Sequence, residues 1–131
     1  MWYFKRFFAV GLMVLLFSVL AVSPAFAKRM PPKHLSASQA VHKAIIVKVA
    51  KAAGYGLQQT NALLILGWRE SGWRPTARTG NCRGAFQLNF NHMGNHWKDL
   101  AWNTRRAIKY IKHRYGTPSR ALAHSYSRNW Y

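Results

Sequence analysis

Apolar residues recur at helical spacing in the segment from residue 36 to residue 54. The residues that set the period lie four apart: Val41, Ile45 and Val49. This spacing puts them on one face of an α-helix and leaves the intervening lysines off that face. Ser36 or Ser38 is a candidate N-cap, and Gly54 stands where a helix C′ residue belongs. The pattern predicts a first helix over this segment.

A second helix is predicted to end at Glu70-Ser71. Its apolar positions are Leu63, Leu64, Leu66 and Trp68. Thr60 or Asn61 is a candidate N-cap, because short polar side chains accept hydrogen bonds from the first turn. Gly72 and Pro75 follow the last apolar position, as is typical of a helix end.

The third helix has the clearest period in the chain. Apolar or small residues recur at steps of three and four: Leu100, Thr104, Ala107, Ile108, Ile111 and Tyr115. Asp99 precedes them as a candidate N-cap, and Gly116 and Pro118 predict the end. Thr117 is then expected to cap a last short helix through residues 121–123.

The segments between these helices show no apolar period. Residues 75–84 read as a loop of about ten residues, and loops of this length often carry function. Residues 84–88 predict a short strand or a helical turn, and residues 89–96 are polar and irregular. Because no useful strand alternation appears, we expect a mostly α fold with a single small domain over residues 36–131.

The first residues of the chain have the pattern of a leader. Lys5 and Arg6 precede an apolar run over residues 7–22, and residues 23–27 form a small-x-small cleavage pattern. The alternative is a retained membrane anchor, for which a run of 16 residues is short. We predict a signal peptide over residues 1–27, an exported protein in the periplasm or outside the cell, and a flexible basic arm over residues 28–35.

The strong positive charge of the chain indicates which molecules it can bind. The chain holds 20 Lys and Arg against 2 acids; Lys5 and Arg6 fall in the leader, so residues 28–131 carry +16. Such a chain is attracted to polyanions. Export argues against nucleic acid, an alternative that rests on charge alone and requires a cytoplasmic location. Anionic lipid and the acidic polymers of a cell envelope remain, and we expect a monomer. Cys82 is the only cysteine, which excludes an internal disulfide and predicts a partly buried thiol.

The two acids of the chain are Glu70 and Asp99, and they differ in context. Glu70 shares a helix face with Leu63 and Leu66, so its carboxyl is expected partly inside an apolar wall, which favours the protonated form. Breaking a glycosidic bond requires such a proton donor. The alternative is a surface ion pair, but a helix C-terminus disfavours a negative charge. We therefore predict that Glu70 is catalytic.

Two arginines near Glu70 affect its protonation, and Asp99 has a different role. Arg69 and Arg74 flank Glu70 and favour its charged form, which opposes the effect of the apolar wall. Asp99 is best explained as the N-cap of the third helix. A glycosidase that needs two carboxylates therefore has no obvious second residue in this chain.

Two short motifs and the end of the chain carry a family resemblance. Residues 68–73 read Trp-Arg-Glu-Ser-Gly-Trp, and residues 84–88 read Gly-Ala-Phe-Gln-Leu. Together they resemble the Glu-Ser…Gly-x-x-Gln signature of lytic transglycosylases of the lysozyme-like superfamily. Residues 110–124 with Trp130-Tyr131 look like the closing segment of secreted and phage-tail members. The match spans roughly residues 40–131 in order, which makes it more specific than either motif alone.

The resemblance implies a lysozyme-like helical domain that acts on peptidoglycan glycan strands without a cofactor. Family enzymes use one Glu, first as acid and then as base, to cleave between N-acetylmuramic acid and N-acetylglucosamine. The C6 hydroxyl of the muramic acid attacks, so a 1,6-anhydro product forms without water. One carboxylate suffices because the N-acetyl group of the substrate assists.

The resemblance also implies roles for single residues. Glu70 corresponds to the acid, Ser71 to the adjacent Ser, and Gln87 to the Gln that bonds sugar or orients the Glu. Tyr110 matches the aromatic residue that faces the cleft. Many members carry an Ala-x-Asn-Tyr element near the end, which His124-Ser125-Tyr126 replaces here. Tyr126 is retained as a candidate substrate contact.

Three aromatic residues and two histidines are weaker candidates for function. Phe86, Trp73 and Tyr126 are candidate platforms for pyranose rings, with core packing as the alternative for each. His92 and His96 stand four apart, but no His-Glu-x-x-His pattern or thiolate cluster accompanies them, so no metal site is predicted. Two other functions remain open: a hydrolytic lysozyme, and a non-catalytic cationic protein that binds the cell wall or a membrane.

Overall fold

Helices account for most of residues 30–131, the part of the chain that a computed structural model describes. The elements in chain order are α1 (Ala37–Ala52), α2 (Leu57–Ser71), β1 (Arg78–Thr79), β2 (Cys82–Arg83), β3 (Leu88–Asn89), α3 (Phe90–Met93), α4 (Leu100–Arg114) and α5 (Pro118–Arg128). The mostly α fold is therefore confirmed. The predicted signal peptide, residues 1–27, lies outside the described residues, as do the first two residues of the predicted basic arm.

Three helix starts follow the predicted caps. Ser36 caps α1 in a capping box, in which its hydroxyl accepts from the Gln39 amide and its own amide donates to the Gln39 side chain at 2.9 Å. Asp99 caps α4 by accepting from the Trp102 amide at 2.6 Å. Thr117 caps α5, whose first residue is Pro118. These caps are confirmed because each depends only on residues within one turn.

The start of α2 differs from the prediction. The helix begins at Leu57 with Gly56 as its N-cap, and the Thr60 amide already donates to the Gly56 carbonyl at 3.0 Å. The predicted cap at Thr60 or Asn61 is therefore wrong by one helical turn. Gly56 offers no side-chain acceptor, so no sequence signal marked this start. The end is as predicted: Gly72 takes a left-handed conformation with φ 65°.

The predicted loop over residues 75–84 contains a hairpin. β1 pairs antiparallel with β2, and β2 pairs with β3, in the order β1-β2-β3. Each strand has two residues and the set is mostly polar, so no alternation of apolar and polar positions was present to predict it. The irregular segment that follows also contains one short helix, α3.

The core lies where α2 packs between α5 and α1, with α4 against α1. Gly67 makes room on α2 for two aromatic rings: a Cβ there would lie 2.9 Å from the Phe86 ring and 3.3 Å from Trp73. The Trp73 indole donates to the Leu64 carbonyl at 2.7 Å, which satisfies its only buried polar atom. Within residues 30–131, no helix is both long and apolar enough to cross a membrane.

Candidate functional site

Glu70 occupies the last turn of α2 and is half-buried. The helix ends one residue later because Gly72 adopts the left-handed conformation that L-residues avoid. This end turns the chain away and leaves Glu70 in the last helical turn, where the residue is only partly covered by the rest of the protein.

Ser71 joins the end of α2 to the second motif. Its buried hydroxyl donates to the Ala85 carbonyl at 2.7 Å and accepts from the Arg74 amide at 3.0 Å. Both hydrogen bonds go to main chain, so this side chain positions residues 84–88 beside the Glu70 turn. The prediction that Ser71 contacts substrate is therefore corrected to a role in holding the second motif.

Gly84 is held against α4 by Asn103, a residue that sequence reasoning missed. The Asn103 Oδ1 accepts a hydrogen bond from the Ala85 amide, and its Nδ2 donates to the Trp97 carbonyl and to the Asp99 carbonyl. Asn103 is fully buried. Gly84 has φ 80°, and a Cβ there would lie 1.8 Å from Asn103 Oδ1. Only glycine fits both the conformation and the space.

Gln87 presents a buried acceptor next to this anchored segment. Its backbone has φ 48°, and its Nε2 donates to the Gly84 carbonyl at 2.8 Å, which fixes the orientation of the side-chain amide. Within residues 30–131, the buried Gln87 Oε1 accepts no hydrogen bond. Leaving such an acceptor without a donor costs about 1–3 kcal/mol. The substrate-binding role of Gln87 stays a prediction.

Tyr131 is a second residue that sequence reasoning missed. Its hydroxyl donates to the Phe86 carbonyl at 2.6 Å. Burial of the phenol, and after it the negative charge of Glu70, raise the pKa of Tyr131 well above its usual value of 10. The residue as a whole is half-buried. The influence of its charge shows that Glu70 lies near this phenol.

Tyr110 connects this arrangement to a groove. Its ring centroid lies 6.0 Å from that of Tyr131, and its hydroxyl accepts from Arg114 at 2.9 Å. The groove has a volume of about 430 Å³, and its lining consists of His92, Arg106, Lys109, Tyr110, His113 and Arg114. Glu70 is not part of that lining. Tyr110 thus lines a groove that does not include Glu70, its predicted position in the catalytic cleft stays a prediction, and Tyr131 stands between the groove and Glu70.

Two predicted sugar platforms are instead core residues. The side chains of Phe86 and Trp73 are 0% and 1% exposed. A ring without an exposed face cannot stack on a pyranose, so stacking by Phe86 and Trp73 is wrong. Both side chains pack in the hydrophobic core, which was the alternative interpretation. Phe86 contributes to the site only through its main-chain carbonyl.

Tyr126 packs against Arg69, the residue before Glu70, and its predicted contact with substrate stays a prediction. Its ring is 40% exposed and packs under the Arg69 guanidinium, whose carbon is 4.6 Å from the ring centroid. Arg69 also donates to the Ser125 hydroxyl at 3.1 Å, which ties α2 to α5. The Tyr126 hydroxyl contacts the sulfur of Met30 at 3.8 Å. Tyr126 is not among the residues that line the Tyr110 groove.

The histidines and the cysteine show no metal arrangement in the described part of the chain. The ring of His92 lies 5.2 Å from Tyr110 and that of His96 lies 5.2 Å from Trp102. Residues 30–131 contain no group of three or more His, Cys, Asp or Glu side chains that could hold a metal ion. Cys82 is a half-buried thiol, as predicted.

Comparison of the chain with protein-family models, with characterised proteins and with solved structures found no match.

Proposed function

We propose that this protein is a peptidoglycan lytic transglycosylase with a lysozyme-like catalytic domain and with Glu70 as its acid and base. It cleaves the β-1,4 bond between N-acetylmuramic acid and N-acetylglucosamine and leaves a 1,6-anhydro end. The proposal includes export to the periplasm or the cell exterior, action as a monomer, and attraction to anionic envelope polymers through the positive charge.

One observation carries this proposal: three segments that are distant in sequence meet at the Glu70 turn. Ser71 holds the Ala85 carbonyl at 2.7 Å across 14 residues, and Tyr131 holds the Phe86 carbonyl at 2.6 Å across 45 residues. These are the Glu-Ser motif, the Gly-x-x-Gln motif and the closing segment that carried the resemblance. A chance match of short motifs does not require such convergence.

The chemistry needs only one carboxyl. Protonated Glu70 gives its proton to the bridging oxygen as the bond from that oxygen to the muramic acid C1 breaks. The resulting carboxylate takes the proton of the C6 hydroxyl as O6 bonds to C1. The N-acetylglucosamine leaves with the first proton, and Glu70 returns to its starting state without consumption of water. Asp99, the only other acid in the sequence, is committed to the α4 cap.

Gln87 and Tyr131 take supporting roles in this reaction. The buried Gln87 Oε1 is an acceptor for a sugar hydroxyl or for the N–H of an N-acetyl group. Tyr131 is a positioning residue. Its hydroxyl already donates a hydrogen bond to the Phe86 carbonyl, and its phenol lies near Glu70. Its neutral phenol keeps a second negative charge away from the catalytic carboxyl.

The test is mass spectrometry of the soluble products released from purified cell-wall sacculi. The wild-type chain is expected to release muropeptides with 1,6-anhydro ends, and Glu70→Gln is expected to reduce the rate about 10²–10⁴-fold, the usual contribution of a general acid. Asp99→Asn is the matched control: it also removes a carboxylate, but Asn is an equally good N-cap, so activity is retained.

The same experiment distinguishes the two alternative functions, a hydrolytic lysozyme and a non-catalytic cationic binding protein. Products with reducing ends indicate a hydrolytic lysozyme. Absence of released muropeptides, with wall binding that survives Glu70→Gln and weakens steeply with salt, indicates a non-catalytic cationic binding protein. If Glu70→Gln and the wild type release products at the same rate, the catalytic assignment is wrong.

A further inference from the structure

The groove beside Tyr110 is a concentrated positive site. Its lining includes three cations that are charged at neutral pH, Arg106, Lys109 and Arg114, and two histidines. Four of the lining residues, 106, 109, 110 and 113, are spaced at i, i+3, i+4 and i+7 and so share one face of α4. His92 from α3 closes the opposite side.

Two of these cations are held in place by hydrogen bonds. Arg106 Nε donates to the His92 carbonyl, and Arg114 Nη1 donates to the Tyr110 hydroxyl at 2.9 Å. The Arg114 guanidinium also lies 5.3 Å from the centre of the Trp130 ring. Ordering a long cationic side chain costs rotamer entropy, so a groove lined by cations that are already held is better prepared for an anion.

No acidic side chain is among the residues that line the groove. The sequence has two acids: Asp99 caps the opposite end of α4, and Glu70 ends α2. The negative end of the α4 dipole accounts for cations in its last turn, such as Arg114, but not for Arg106 and Lys109 further back. Their mutual repulsion is relieved when an anion binds among them.

Two aromatic rings separate the groove from the Glu70 region. Tyr110 lines the groove, and its ring centroid is 6.0 Å from that of Tyr131. Tyr131 in turn lies near enough to Glu70 for the carboxylate charge to raise the pKa of the phenol. A ligand that occupies both regions therefore has to pass over these two rings.

We propose that this cationic groove binds the carboxylates of the acidic peptide attached to the glycan strand that is cut at Glu70. The inference rests on the proposed function. A volume of about 430 Å³ suits a short peptide segment, and guanidinium groups recognise carboxylates through paired hydrogen bonds. The chain thus prefers wall glycan that carries its peptides over the same glycan stripped of them.

The experiment compares two ligands and two lysine variants, all in the Glu70→Gln chain so that the ligand stays intact. The ligands are a peptide-bearing muropeptide and a peptide-free glycan of the same length, and calorimetry measures their affinities. Lys109→Gln removes a groove charge, whereas Lys112→Gln removes an exposed charge from the same helix outside the lining. We expect Lys109→Gln to weaken muropeptide binding about two- to fivefold, with no effect of Lys112→Gln and no effect of either on the peptide-free glycan.

Three results would overturn the inference. The first is equal weakening by Lys109→Gln and Lys112→Gln, which indicates net charge alone. The second is equal loss for both ligands, which indicates a sugar site. The third is stronger competition by a polyglycerol phosphate than by the free acidic peptide, which indicates a phosphate polymer as occupant. Because binding is measured without cleavage, a chain that binds the peptide but cuts nothing refutes the proposed reaction and leaves the groove assignment standing.

Discussion

The hydroxyl of Tyr131 donates a 2.6 Å hydrogen bond to the main-chain carbonyl of Phe86. The contact joins residues 45 positions apart. It holds the last residue of the segment that follows α5 against the second motif, residues 84–88. The Tyr131 ring makes a T-shaped contact with the Tyr110 ring, with the two centroids 6.0 Å apart. Burial, and after it the negative charge of Glu70, raise the pKa of the Tyr131 phenol. One tyrosine therefore connects the candidate acid, the second motif and the cationic groove.

Removal of that hydroxyl is expected to affect both stability and cleavage. Tyr131→Phe leaves the Phe86 carbonyl without its donor, which we expect to lower the free energy of unfolding by about 1–2 kcal/mol. Because Phe86 precedes Gln87, we also expect slower glycan cleavage at temperatures where the variant is fully folded. Urea unfolding and muropeptide release measure the two effects. Tyr55→Phe is the control and should leave cleavage unchanged, because the Tyr55 hydroxyl has no hydrogen-bond partner within residues 30–131.

Alkaline pH should destabilise the fold through its buried phenols. Burial raises the pKa of Tyr131 well above 10, and burial also raises the pKa values of Tyr55 and Tyr115. Above pH 10 these residues ionise in the unfolded chain but keep their protons in the folded one. The unfolded state then binds fewer protons, so the free energy of unfolding falls as pH rises. For Tyr131, whose phenol is fully buried, the fall is up to about 1.4 kcal/mol per pH unit, and the more solvated Tyr55 and Tyr115 contribute less.

Urea denaturation between pH 9 and pH 12 measures this slope. Tyr131→Phe removes one of the ionising groups and is expected to make the decline shallower. An unchanged slope in that variant would mean that the Tyr131 phenol ionises as readily in the folded chain as in the unfolded one.

Ser71→Ala is expected to loosen the second motif. The substitution removes a buried hydroxyl that serves two main-chain groups, the Ala85 carbonyl and the Arg74 amide, and leaves both without this partner. We expect a loss of about 1–3 kcal/mol in the free energy of unfolding, measured in urea. Ser127→Ala removes an exposed hydroxyl that donates to the His124 carbonyl at 3.0 Å, and should cost less than about 0.5 kcal/mol.

Gly84→Ala and Gly80→Ala form a matched pair. Both glycines have positive φ, 80° and 55°, so alanine is strained at each. At Gly84 the added methyl also meets Asn103 Oδ1, whereas at Gly80 it meets nothing within 4 Å. We expect a cost of about 1 kcal/mol for Gly80→Ala and more than about 4 kcal/mol for Gly84→Ala. Thermal denaturation followed by circular dichroism compares them, and equal shifts in Tm would contradict the packing argument.

Local signals predicted the helices well, because their causes lie within a few residues. Ser36, Asp99 and Thr117 cap the helices that follow them, and Gly72 ends α2 where expected. The start of α2 was missed, since Gly56 caps it without a side chain. The hairpin was missed because strands of two residues have no period to detect.

The candidate site was predicted in part. The sequence singled out Glu70 and Gln87, because a lone acid in a basic chain and a short motif are visible in one dimension. It assigned Phe86 to sugar and Ser71 to substrate, whereas their side chains are buried. The error has a physical source: the burial of an aromatic or hydroxyl side chain depends on partners that lie far along the chain.

By itself, the sequence determined the mostly helical fold, the strong positive charge, and Glu70 as the acid left over once Asp99 is assigned to a cap. These follow from spacing, composition and contacts within one helical turn. Only the tertiary structure decided that Tyr131 stands beside Glu70, that Asn103 holds Gly84, and that the cations of α4 line a groove next to Tyr110. The first two relationships join segments 61 and 18 positions apart, and the groove needs His92 of α3 beside one face of α4, so packing of the whole core sets all three.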